Sequence, residues 1–273
     1  MTVARNVTDF HGILLFRRDY AERDFLIKFL TAEFGKKMFL VRGAKKKGFK
    51  MVADILPFTV GSYVGDIADD GLSYIRTARE TSQYQNISAD IFKNAYATYI
   101  MSLVDAAFPD SQPLPDWYHR VQRALTLIDD GVNASIVTNI MEIQLMPAFG
   151  VAPQLQGCAV CGRNDLPFDY SESYGGLLCQ QHWQMDPRRL HLNQRTIYYL
   201  RQFSVLDLDK LHTISVKPQT EHALRQLMDE IYDSQIGVHP KSKRFLDQMQ
   251  SWSARLMTPP ASDAPETGNS PES

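Results

Sequence analysis

The sequence predicts an α+β protein with a small N-terminal β-barrel, a helical domain after it, and a metal-binding ribbon inserted into the helical part. Three observations carry this expectation. Short apolar segments separated by glycines fill residues 9 to 80, and apolar residues recur at helical spacing from about residue 88. Every cysteine of the 273-residue chain lies between Gly157 and His182. Hydrophobic residues make up 44% of the chain, enough to build a core, so disorder is not the expectation for the bulk of it.

The strands of the barrel are read from "GILLFRR", "DFLIKFLT", "KKMFLVRGA", "MVADILPFTVGSYVG" and "LSYIRTARE", punctuated by Gly35, Gly43, Gly48, Gly61, Gly65 and Gly71. Several short strands at regular spacing suggest closure into a barrel over residues 1–80. Past Ser88, the expected N-cap, Phe92, Ala95, Tyr96, Tyr99, Ile100, Leu103 and Val104 fall on one face of a helix. Pro109, Pro113 and Pro115 end it. Two further helices carry Val121, Leu125 and Ile128, then Ile136, Ile140 and Ile143. Helical spacing returns over Asn193 to Phe203 and over Gln219 to Ser234, so residues 81–257 form an antiparallel helical domain interrupted at about 157–189. The stretch "TPPASDAPETGNSPES", residues 258–273, has no aromatic or large aliphatic side chain and is expected to be a disordered tail.

Net charge is −2, from 29 basic and 31 acidic residues, so the global balance selects neither nucleic acid nor a membrane surface. The N-terminal residues do not read as a secretion signal, and no apolar run approaches the roughly 18 residues of a membrane helix. A cytoplasmic location is the expectation. There thiols stay reduced, so three clustered cysteines point to metal or chemistry before disulfides.

Cys158 and Cys161 form a C-x-x-C pair, and Cys179 with His182 repeats the spacing as C-x-x-H. Each pair lets a tight turn aim two ligands at one ion, and two pairs describe a tetrahedral zinc site. Gly157, Gly162, Gly175 and Gly176 supply backbone freedom for the turns. His191 lies near enough in sequence to compete with His182 for the fourth position. A redox C-x-x-C would need a thioredoxin-like context that is missing, and unligated core cysteines would leave the paired spacing to chance. With four protein ligands the site is closed, so one structural zinc per chain is expected to contribute to folding and not to catalysis.

A second local signal is "KKMFLVRGAKKKGFK", residues 36–50, in which Lys36, Lys37, Arg42, Lys45, Lys46, Lys47 and Lys50 stand without one acid. Such a patch suits nucleic-acid phosphates, with Lys45, Lys46 and Lys47 on an exposed turn; the competing reading is a solvated turn that keeps a sheet edge soluble. Phe39, Phe49, Phe58 and Tyr63 could stack on bases, although strand alternation places them in the core more readily. Lys241, Lys243 and Arg244 form a smaller basic cluster near the C-terminus. No P-loop, G-x-S-x-G motif or acidic pair for catalytic magnesium is present in the sequence, so nothing calls for an enzyme.

The segment "GILLFRRDYAERDFLIKFLTAEFGK", the "VRGAKKK" turn, the insertion with "CAVCG" and "YGGLLC", and "KSKRFLDQM" together resemble the RecO recombination mediators of bacterial DNA repair, over nearly the whole chain. The resemblance implies an oligonucleotide-binding (OB) barrel joined to a helical domain with a zinc-binding insertion. It also implies binding to single- and double-stranded DNA, strand annealing, and action with RecR to load RecA onto DNA coated by single-strand-binding protein, in the nucleoid. Zinc-bearing relatives often have a fourth cysteine where this chain has His182. The resemblance further suggests that Lys241, Lys243 and Arg244 receive the acidic tail of single-strand-binding protein. Two other classes share the same local signals: an RNA-binding zinc-ribbon protein of translation or ribosome assembly, and a metalloenzyme whose zinc site opens.

Overall fold

The computed structural model describes residues 5–257; the expected disordered tail at 258–273 lies outside the described residues. Five strands, β1 (Arg5–Tyr20), β2 (Asp24–Thr31), β3 (Gly35–Val41), β4 (Thr59–Ala68) and β5 (Ser73–Gln83), close into a barrel in the order β1-β2-β3-β5-β4. The 16-residue β1 makes closure possible. Its first half pairs with β4 (Phe10 opposite Tyr63) and its second half with β2 (Arg18 opposite Leu26), with a register irregularity between Leu14 and Phe16 where it bends. The last seam is parallel, with Leu40 of β3 beside Tyr74 of β5.

Phe10, Phe29, Phe39 and Tyr63 fill the barrel, with ring centroids 4.9–6.0 Å apart. A side chain at Gly12 would put its Cβ 2.7 Å from the Phe29 ring, so the missing Cβ makes room for the aromatic core. Phe39, Phe58 and Tyr63 are buried and Phe49 packs against the barrel core, so these rings are packing residues and not stacking platforms. The expected strand "MVADILPFTVGSYVG" begins only at Thr59. Before it, Pro57 lacks a ladder N–H, Phe58 adopts a left-handed φ of 62°, and a single 3-10 turn spans Ala53–Ile55. Arg42 to Phe58 is therefore a long connection between β3 and β4, not a tight hairpin.

The helical part comprises α1 (Gln85–Ala89), α2 (Ile91–Ala107), α3 (Pro115–Asp129), α4 (Ala134–Leu145), α5 (Gln194–Val205), α6 (Pro218–Ile231) and α7 (Lys241–Met257). Ser88 does not cap the long helix: its hydroxyl bonds back to the Tyr84 carbonyl within α1, and Asp90 caps α2 by accepting from the N–H groups of Phe92 and Lys93. Helix α4 is apolar around most of its circumference and is enclosed by its neighbours. Its one carboxylate, Glu142, is fully buried and takes both guanidinium N–H groups of Arg225 at 2.6 and 2.7 Å and the Tyr99 hydroxyl at 2.8 Å. Helix α7 has no counterpart in the sequence reading; Leu246 and Met249 bury its inner face. The insertion is a small sheet of β6 (Gln154–Cys158), β8 (Gly176–Cys179) and β7 (Phe168–Ser171), in that order. Phe168, Tyr170, Leu177 and Leu178 join the same apolar cluster as the helices, and so do Ile13, Leu15 and Leu30 of the barrel wall.

Candidate metal centre and nucleic-acid interface

Cys158 ends β6 and Cys161 occupies the turn after it; Cys179 ends β8 and His182 sits in the 3-10 turn that follows, Gln180–Met185. The first turn closes through Gly162 N–H to the Cys158 carbonyl and Cys158 N–H to the Arg163 carbonyl, both at 2.8 Å. A Cβ on Gly157 would stand 2.7 Å from the Gly162 carbonyl oxygen, and Gly162 has a φ of +72°, so both glycines are required by this turn. The three Sγ atoms and His182 Nδ1 all lie within 4.8 Å of one another and could hold a metal ion. Cys161 Sγ is 3.8 Å from Cys179 Sγ, while His182 Nδ1 is 3.5 Å from Cys158 Sγ and 3.3 Å from Cys179 Sγ. Burial pushes the Cys158 thiol up, but the N–H groups of Cys179, Cys161 and Val160, with His182, outweigh it and bring it down to about 6. Burial and the neighbouring thiols raise Cys179. His191 stands outside the cluster, exposed, with its backbone N–H on Asp169.

The basic segment divides in two. Lys45, Lys46, Lys47, Lys50 and Arg42 are exposed at one end of the barrel. Lys45 pairs with Asp19 at 3.0 Å and lies over the Phe25 ring, and Arg42 lies over the Tyr74 ring. Lys36 and Lys37, expected to face nucleic acid, are instead only 1% and 6% exposed. The Lys36 ammonium reaches Asp105 at 2.9 Å and Asp110 at 3.2 Å; the Lys37 ammonium donates to the carbonyls of Ala68 and Asp69. Lys28 of β2 shares the two aspartates at 2.6 and 2.8 Å. Burial pulls the Lys28 ammonium down, yet Asp105 and Asp110 overcome this and hold it above the usual lysine value. Burial likewise pushes Asp110 up, and the two lysines hold it below the usual carboxylate range. Lys28 and Lys36 clamp the barrel to the end of α2 and the loop beyond it, while Lys37 ties β3 to the end of β4.

Sequence reasoning missed Arg18, Tyr20 and Arg23, which are exposed on β1 and the β1–β2 turn beside the basic connection. Alternation along β1 gave no signal for them, because Phe10 and Leu14 of the same parity face the barrel core and only the register irregularity between Leu14 and Phe16 turns Arg18 and Tyr20 outward. In the C-terminal cluster, Lys241 and Arg244 are exposed, but Lys243 is bound to Asp229 at 3.0 Å and Asp247 at 2.5 Å. Burial lowers the Lys243 pKa and the two carboxylates more than reverse this. Lys243 thus ties α7 to α6 and is not free for a partner. Among the described residues, no helix is long and apolar enough to cross a membrane.

Residues 6–84 match the family described as Recombination protein O N terminal, and residues 88–244 match Recombination protein O C terminal. A protein named DNA repair protein RecO from Levilactobacillus brevis is 93% identical over 257 residues, covering 94% of this chain and 99% of its own length. The proteins of that name from Lactiplantibacillus plantarum and Latilactobacillus sakei are 63% and 55% identical, covering 90% and 91% of this chain and 95% and 91% of their own. Two family matches that together span most of the chain, with relatives matched nearly end to end, fit a chain that is sheet at its N-terminal part and helical after it: the chain belongs to the RecO family of DNA repair proteins.

Proposed function

We propose that the chain is a recombination mediator that binds single- and double-stranded DNA without reading sequence, anneals complementary strands, and acts with RecR to load RecA onto DNA coated by single-strand-binding protein. The observation that carries this reading is the group of exposed cations Arg42, Lys46, Lys47 and Lys50 at one end of a closed five-stranded barrel, none of them ion-paired among the described residues. The strand order β1-β2-β3-β5-β4 supports assignment to the OB class, whose β2–β3 face and adjoining loops take oligonucleotides. Cations that contact phosphates position a strand of any sequence. Holding two strands against positive charge lowers their mutual repulsion, so annealing needs no catalytic group. In this reading residues 1–80 are the DNA-binding unit and 81–257 the body that carries the ribbon and the partner surface.

The metal is a structural zinc. Zn–S bonds of about 2.3 Å and a Zn–N bond of about 2.0 Å at tetrahedral angles set sulfurs about 3.8 Å apart and sulfur about 3.5 Å from nitrogen. The observed separations of 3.8, 3.5 and 3.3 Å fit that figure. Cys158, Cys161, Cys179 and His182 would hold the ion and fix the two turns on the helical core; no step of annealing runs through it.

Lys241 and Arg244 are the exposed cations near the start of α7 for an acidic tail of single-strand-binding protein. The deciding experiment is annealing of complementary oligonucleotides, bare and coated with single-strand-binding protein. The parent protein should accelerate both reactions, and Lys241→Glu with Arg244→Glu should impair only the coated one. Absence of any acceleration, with binding confined to RNA, would refute the mediator reading.

A further inference from the structure

Between Pro187 and Leu206 the chain has four arginines, Arg188, Arg189, Arg195 and Arg201, and no acid, in a protein of net charge −2. The structure gathers this stretch on α5 and the loop leading into it. Two of the arginines are committed internally: Arg189 pairs with the buried Asp169 at 3.0 Å and lies over Trp183, and Arg201 lies over the Phe168 ring and donates to the Gln156 carbonyl. Arg188 and Arg195 are exposed; Arg188 lies in the field of the neighbouring Asp186, which accepts from its backbone N–H at 2.9 Å, while among the described residues no carboxylate ion-pairs with Arg195. Arg195 stands in the first turn of α5, where the helix dipole disfavours a cation, so helix stability does not explain it. Along the same exposed face come Tyr198, 57% exposed, Gln202, and Val205, 65% exposed. Tyr198 meets Tyr199 edge-on at 5.4 Å, a contact that leaves most of its surface in water.

An unpaired arginine one turn from an exposed aromatic ring on a rigid helix, with the exposed Arg188 in the loop before it, matches the chemistry of a single strand, in which phosphates meet cations and unstacked bases meet a π-face. Arginine and tyrosine also serve protein interfaces, but this face has no acid and presents cations with a π-face, which favours a strand, and the coated-strand arm of the test separates the two occupants. We propose that the outer face of α5, with Arg188 in the loop before it, is a second single-strand-binding surface, distinct from the barrel, which holds the second of the two strands being annealed. This rests on the annealing function proposed above. Helix α5 packs on α4, α6 and the inserted sheet, so the surface belongs to the helical body.

The test uses the full, metal-loaded chain. An immobilised oligo-dT captures a second, labelled oligo-dT through limiting protein; the strands cannot pair, so capture reports bridging. Arg188→Ala, Arg195→Ala and Tyr198→Ala together should reduce bridging at least about tenfold, from one lost base stack and two lost phosphate contacts, while first-strand affinity stays within about threefold. Gln202→Arg adds a cation to the same face and should increase bridging, and it decides the matter if the triple variant melts early. Failure of the parent to bridge, unchanged bridging in a stably folded triple variant, or no gain in Gln202→Arg would overturn the proposal. Loss confined to strands coated by single-strand-binding protein would make the face a protein site and overturn it too. If Lys45→Ala, Lys46→Ala and Lys47→Ala leave first-strand affinity intact, the barrel reading fails instead, and bridging still judges α5 by itself.

Discussion

Replacing Lys45, Lys46 and Lys47 together with alanine tests the barrel interface most directly, because the structure fixes how many cations are available. Of the seven basic residues between Lys36 and Lys50, Lys36 and Lys37 are buried and internally bonded. Five remain exposed, and Lys45 is partly neutralised by Asp19 at 3.0 Å. Four to five phosphate contacts give a log–log salt slope of about −2.8 to −3.5 for single strands, at roughly −0.7 per contact. A fourfold rise in salt should then weaken parent binding by about 50- to 130-fold. The triple variant keeps only Arg42 and Lys50, so its slope should flatten to about −1.4, and the same rise should cost about sevenfold. Fluorescence anisotropy with labelled oligonucleotides of unrelated sequence, across a salt series, measures all of this, and the loss should be uniform across sequences. Lys36→Ala is the counterpart: it leaves Asp105 and Asp110 short of a cation, so it should lower the melting temperature without flattening the slope. An unchanged slope in the triple variant would reduce the connection to a solvated loop, and a flattened slope in stably folded Lys36→Ala would contradict the buried clamp.

Three further outcomes follow from the interior. The purified protein should contain one zinc per chain by elemental analysis, and Cys158→Ser or chelation should sharply lower its melting temperature; a metal-free protein melting like the parent would refute the structural site. Arg225→Met alone should cost about 3–5 kcal/mol in denaturant melts, because it leaves the buried Glu142 uncompensated; Glu142→Gln should cost less, because Asp229 still pairs with Arg225 at 3.0 Å, and the double variant should lose less than the sum of the two. Asp110 is held below the usual carboxylate range, so its contribution is present above its ordinary pKa of 3.8 and disappears as pH falls through its lowered value. Asp110→Asn should therefore flatten the acid limb of a melting-temperature profile, with little change between pH 4 and 10 beyond a modest uniform loss, since the carboxylate is half exposed. The clamp's other limb has the opposite sign: Lys28 is raised, so its contribution holds up to the ordinary lysine value of 10.5 and is lost above it.

The sequence by itself determined what depends on neighbours along the chain. The two C-x-x-[CH] pairs set the turns because three residues of spacing suffice to aim two ligands at one point, whereas the choice between His182 and His191 stayed open until the fold brought His182 to the three cysteines. Short apolar segments between glycines marked the barrel strands, and Ile136, Ile140 and Ile143 at helical spacing marked α4. What only the tertiary structure decided is what each charge does once distant segments meet. Lys36 and Lys47 stand in one basic run, yet Lys36 meets Asp105, 69 residues away, and is buried, while Lys47 meets water. Lys243 reads like its neighbour Arg244 until α7 folds onto α6 and Asp229 takes it. The start of α2 turned on Asp90 and not Ser88, because a short preceding helix used Ser88 first. Local spacing fixes geometry, but burial is a property of the packed whole, and for a cation burial decides whether it is a fastener of the fold or a contact for a ligand.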